Sequence, residues 1–197
     1  MNWIVLAIAV YLMLVCERGL DGLVAIGSVT PSLTLILAVY LALSAPLPLV
    51  PWIMMLLGLI EDLGHPYHAH AAWQLTLIGP YTLGYLAAGH VAGQMRWMIS
   101  RRSVVGLVIM VWPMGLFVHL VVVAMVTLRG LTPLSEPVAD WRSVTQLLDR
   151  FQEILYTAVV TFPIGHLLLR SQPLWHFVGN RHVARSSRRN LRTDRTV

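Results

Sequence analysis

One ten-residue segment, Glu61-Asp62-Leu-Gly-His65-Pro-Tyr67-His68-Ala-His70, brings two carboxylates and three imidazoles together. Zinc or another divalent ion takes such ligands, so His65, His68 and His70 form a candidate metal set. Their spacing weakens it: none of the three pairs sits four apart on a helix, and Gly64 and Pro66 make the segment a turn. Polar groups gathered where an apolar run ends are the ordinary look of an interfacial loop, and that reading is preferred. Asp62 stands apart because it closes an apolar run and shares a helix face with Gly58, four residues earlier. An ionisable group at membrane depth marks a functional position, whereas one at headgroup level reaches water.

Three more histidines, His90, His119 and His166, fall within apolar stretches. Haem ligation or a proton relay would need them at facing positions of similar depth; single hydrogen bonds to a neighbouring helix are the simpler reading. Cys16 is the only cysteine, which excludes an internal disulfide and leaves an apolar wall residue. No P-loop, GxSxG, HExxH or GxGxxG occurs, and no nucleophile, base and oxyanion donor assemble in the pattern. The sequence therefore predicts a protein that is not an enzyme and carries no cofactor.

The elements that must hold these residues are apolar. Hydrophobic residues make up 57% of 197, charged residues 12%, and mean hydropathy is +0.70, where soluble domains carry roughly 25% charged residues. Residues 2–16, 22–60, 63–95, 103–128 and 154–169 contain no Asp, Glu, Lys or Arg. A bilayer core takes about 20 apolar residues per helix, so 22–60 holds two spans, divided at Pro46, Pro48 and Pro51. The expectation is an all-α polytopic bundle of about six spans: 2–17, 29–45, 50–62, 71–95, 104–128 and 153–170. The third begins nearer Leu47 or ends past Asp62, and five spans is the alternative count. The first has no basic flank and no small-x-small cleavage pattern, so it is expected to be retained.

Charge sets the orientation. All 14 basic residues are arginine; Arg96, Arg101, Arg102, Arg170, Arg181, Arg185, Arg188, Arg189, Arg192 and Arg195 fall on one side of the six-span arrangement, against Arg18, Arg129, Arg142 and Arg150 on the other. The positive-inside rule places both termini in the cytoplasm. Residues 1–170 form the transmembrane domain, and 171–197 a disordered basic tail beside anionic headgroups. No aromatic side chain interrupts RHVARSSRRNLRTDRTV, which argues against nucleic acid as its partner.

Span four carries Gly84, Ala88 and Ala92 at spacings of four, beside Gly89 and Gly93. Small residues on one face let another backbone approach closely, first of all inside this chain and secondarily in a partner subunit. Pro80, Pro113 and Pro163 lie inside spans four to six and predict kinks. Before span six, Trp141, Val144, Leu148 and Phe151 recur three or four apart, with Asp140, Arg142, Asp149 and Arg150 toward water. This is either an amphipathic surface helix or an extension of span six.

Pro31-Ser-Leu-Thr-Leu-Ile-Leu-Ala-Val-Tyr40-Leu-Ala-Leu, the Pro46–Pro48 turn, Gly58-Leu-Ile-Glu-Asp62-Leu63 and Tyr85-Leu-Ala-Ala-Gly-His-Val-Ala-Gly together resemble the rod shape-determining MreD family. Thr161-Phe-Pro163-Ile-Gly-His-Leu-Leu-Leu-Arg170 is similar to its last span. The His-rich loop, the second acid Glu61 and the 27 residues after Arg170 depart from the family pattern. The resemblance implies a bundle similar to the substrate-binding membrane subunits of vitamin transporters. It also implies a scaffold in the bacterial inner membrane acting with an MreC-type single-span protein, RodA, a class B penicillin-binding protein and MreB filaments in side-wall peptidoglycan synthesis. A small-molecule-binding transport subunit is the alternative.

Overall fold

A computed structural model describes residues 2–24, 29–65, 67–68, 74–98, 103–130 and 142–175, without the side chains of 20–24, 67–68 and 74–75. It is a helical bundle: α1 (Trp3–Val24), α2 (Leu33–Ser44), α3 (Val50–Gly64), α4 (Pro80–Met95), α5 (Val104–Gly130) and α6 (Ser143–Arg170). Single 3₁₀ turns at Leu47–Leu49 and Gln172–Trp175 flank α3 and follow α6. Between α3 and α4 a two-residue antiparallel ladder pairs Tyr67 with Leu75 and His68 with Gln74. Among the described residues three stretches are long and apolar enough to cross a membrane, Leu47–Gly64, Val104–Gly130 and Ser143–Arg170. The chain is thus a helical membrane protein.

α2 is the hub. Every side chain from Leu33 to Leu43 is buried, and α2 touches each of the other five helices. A helix apolar all round belongs in such a position. At 12 residues it is about 18 Å long, short of the roughly 30 Å hydrocarbon core. Apolar side chains on the other helices form the outer surface instead: Ile4 and Ile8 on α1, Trp52 and Leu59 on α3, Ile109 and Leu120 on α5, Val159 and Phe162 on α6.

Several element bounds differ from the expectation. The fourth helix starts at Pro80 rather than at residue 71; Pro80 is its first residue and introduces no kink, because the missing N–H is needless there. Gly79 precedes it at φ 133°, a conformation that glycine adopts and other residues avoid. Pro113 and Pro163 do lie inside continuous helices. The polar stretch before span six is an extension of α6, unbroken from Ser143. Residues 172–175 fold back on the bundle: the Trp175 ring is buried edge-on against Tyr40 at 5.4 Å, and its carbonyl accepts from Asn2 N–H. The rest of the proposed tail, 176–197, lies outside the described residues.

Short helices with buried ends leave polar backbone groups that lipid cannot satisfy. Here polar side chains of neighbouring helices satisfy them. Glu17 of α1 accepts from the N–H (3.0 Å) and hydroxyl (2.7 Å) of Thr34 at the start of α2. Buried Arg96, just past α4, donates to the Leu43 and Ala45 carbonyls at its end. Arg18 donates to Gly64 O at the end of α3, 2.6 Å away. Positive charge at a helix end also suits the helix dipole.

Candidate functional site

The residues singled out in the sequence separate into a packing seam and a cavity. The seam joins α3 to α4. Asp62 Oδ2 accepts from Gly79 N–H (2.8 Å), Thr82 N–H (3.0 Å) and the Thr82 hydroxyl (2.6 Å), while Oδ1 accepts from Tyr81 N–H (2.8 Å). The carboxylate therefore caps α4 from another helix, satisfying donors that its own first turn cannot. Gly58 makes this approach possible. A Cβ there would stand 2.6 Å from Thr82 Cα and 2.8 Å from Tyr81 O. Spaced four apart, Gly58 admits the backbone of α4 and Asp62 binds it.

The small face of α4 also packs within the chain. Gly84 lies against the Val118 backbone of α5, where a Cβ would come within 3.0 Å of the carbonyl oxygen. Gly89 faces the Met54 side chain of α3, and Gly93 the Leu47 side chain. Ala88 and Ala92 are fully buried.

On the other side of the same turn of α3 opens a cavity of about 320 Å³. Its walls come from α1 (Glu17), the approach to α2 (Ser32), the end of α3 (Glu61, His65), α4 (Tyr81, Tyr85), α5 (His119) and the first turns of α6 (Gln146, Asp149, Arg150, Glu153). A chain of polar contacts crosses it. His65 Nδ1 lies 3.1 Å from Glu61 Oε2, and the His65 ring stacks on Tyr81 at 5.4 Å. Arg150 Nη1 donates to the Tyr81 hydroxyl at 2.7 Å and to His119 Nδ1 at 2.9 Å. Nδ1 is thus an acceptor, which leaves the His119 proton on Nε2, 3.9 Å from Glu153 Oε1. Glu61 is buried, yet its Oε1 has no hydrogen-bond partner among the described residues.

Beyond Arg150 the cavity adjoins an apolar groove of about 290 Å³ between α5 and α6, lined by Leu116, Leu147, Leu148, Phe151 and Ile154. His119 and Arg150 border both spaces. At half-exposed His65 the neighbouring Glu61 carboxylate raises the imidazole pKa above its ordinary value, outweighing the opposing effect of burial.

Of the proposed metal set only the His65 side chain lies within the described residues. His65 Nδ1 is engaged with Glu61, while the side chain of His68 and all of His70 lie outside the described residues. Among the described residues no three His, Cys, Asp or Glu side chains gather closely enough to hold a metal ion. The membrane histidines also part company: His119 meets Arg150 of α6, His90 meets Gln94 of its own helix, and His166 is exposed.

Sequence reasoning missed Glu17, Arg150 and Glu153 as members of one site. The available signal was the polar face of α6. Gln146, Arg150 and Glu153 turn inward while Val144, Leu148 and Phe151 stay exposed, the reverse of a helix on a soluble protein and the expected sense in lipid. Comparisons with protein-family models, curated proteins and solved structures find no match to this chain.

Proposed function

We propose that the chain is a membrane scaffold of MreD type, which positions an MreC-type single-span protein and wall-synthesis partners in a bacterial inner membrane. One observation supports this reading above the others. The positions on which the resemblance turns, Gly58 and Asp62, lock α3 to α4, and the resembling segment Pro31–Arg96 builds the bundle's α2–α4 centre. Such a locked centre suits a part that presents fixed helix faces to partners. The arginine bias favours both termini in the cytoplasm, which would open the cavity toward the periplasm.

Depletion of the protein in a rod-shaped host should round the cells, and a tagged chain should co-purify with a coiled-coil, single-span protein. Rods that keep their shape would sink the scaffold reading. The cavity supports a second reading, a small-molecule-binding subunit of a transporter, since pockets of roughly 300–1,000 Å³ suit small ligands. Unchanged shape together with lost uptake of one vitamin would favour it.

A further inference from the structure

Glu61 is the cavity residue whose hydrogen bonding the fold leaves incomplete. It is only 3% exposed, and its Oε2 meets His65 Nδ1 at 3.1 Å. Its Oε1 has no hydrogen-bond partner among the described residues, at a side chain that lines the cavity. We propose that the cavity binds a small primary amine, whose ammonium donates to Glu61 Oε1.

The cationic side chains around Glu61 are already engaged elsewhere. His65 sits on the other oxygen and stacks on Tyr81. Arg150 donates to the Tyr81 hydroxyl and to His119 Nδ1, and Arg18 donates to Gly64 O. Each would have to give up a bond it makes in order to reach Oε1. A buried carboxylate oxygen without a donor is unfavourable, so the donor comes with the occupant of the cavity.

The kind of donor follows from bond strength and number. Hydrogen bonds from a charged donor are roughly twice as strong as neutral ones, which favours an ammonium over a hydroxyl. A primary ammonium carries three N–H groups, and two remain once Oε1 is met. Glu17 and Glu153 stand on the same lining. Protonated or ionised, a carboxyl group keeps acceptor capacity, so the assignment needs no count of their charges. A trimethylated ammonium has the charge but no N–H, and leaves Oε1 as it was. Size sets the rest: a cavity of about 320 Å³, at about 30 Å³ for a water-sized atom, holds a compound of roughly ten non-hydrogen atoms. That is a short aliphatic or single-ring amine.

The site rests on the reading of the cavity as a small-molecule pocket and names the class of molecule. Its test titrates the full chain, purified in mild detergent at neutral pH, with butylamine, butyltrimethylammonium and butanol. A bound ligand raises the thermal midpoint in a concentration-dependent way. Butylamine should do so at concentrations about tenfold below those needed of either other probe. Glu61→Gln should remove that advantage, and Gln146→Trp, which fills the cavity from α6, should weaken butylamine while leaving Glu61 in place. An equal response to butyltrimethylammonium would assign the effect to charge alone, and an equal response to butanol to a neutral donor; either overturns the site. So does no response to butylamine, or an advantage that survives Glu61→Gln. Should that variant not fold, an advantage that Gln146→Trp leaves intact places the amine elsewhere and overturns the site. Lost uptake of one vitamin on depletion, without a butylamine advantage, would sink this site and leave the transport reading standing.

Discussion

Glu61 and Asp62 are neighbours in the last turn of α3, both are buried, and they serve opposite ends. Asp62 turns toward α4 and has four donors around its two oxygens. Glu61 turns toward the cavity, where Oε2 meets His65 and Oε1 meets no donor among the described residues. Burial therefore does not separate an acid whose two oxygens are engaged in the fold from one that leaves an oxygen without a donor at the cavity. The count of satisfied oxygens does, because a buried carboxylate with every lone pair engaged has nothing left to offer.

The sharpest way to break this contrast is Asp62→Ala. It would orphan the N–H groups of Gly79, Tyr81 and Thr82, and at upwards of 1 kcal/mol for each the loss should be about 4 kcal/mol. Denaturation of the purified protein in detergent measures it, and a loss below about 1 kcal/mol would remove the capping role. Next comes Gly58→Val, whose side chain must displace the backbone of Thr82 and should cost about 3 kcal/mol. Arg96→Leu should cost about 2 kcal/mol by freeing the carbonyls at the end of α2. Equal stability of variant and parent would show that these carbonyls find other donors.

On the cavity side the effects are small and depend on pH. Glu61→Gln should change stability at neutral pH by less than about 1 kcal/mol, since one oxygen already lacks a partner. The raised His65 pKa means that the folded protein holds this proton more tightly than the unfolded chain. Its contribution is complete below the ordinary histidine value of about 6.5 and fades as pH rises through the raised value. Thermal midpoints should decline across that window in the parent and run flatter in Glu61→Gln, whose neutral amide no longer favours the imidazolium.

What could be read from the sequence follows distance along the chain. The membrane character, the helical class and the shared face of Gly58 and Asp62 are local properties, carried by charge-free runs and a spacing of four. That Asp62 caps α4 is not local, because its donors lie 17 to 20 residues away. The cavity is still less local: Glu17, Glu61 and Glu153 come from three helices, and each taken alone looks like an acid flanking a span. Opposite Val144 and Leu148, the spacing places Arg150 toward water; with lipid outside, the same pattern turns it inward to Tyr81 and His119. The start of α4 is not legible from charge, because residues 71–79 are as free of it as the helix that follows, and Asp62 caps the start from outside the segment.

The borrowed caps of α2 also bear on the order in which the protein is made. Its first turn is completed by α1, already synthesised, but its last turn waits for Arg96, more than 50 residues downstream. During translation α2 must enter the membrane with bare carbonyls at one end, in contact with the insertion machinery or with water, until α4 arrives. The nascent α2–α3 pair is thus an unfinished intermediate, and a chain truncated before Arg96 and released into the membrane should be far more open to protease than one truncated just after Met98.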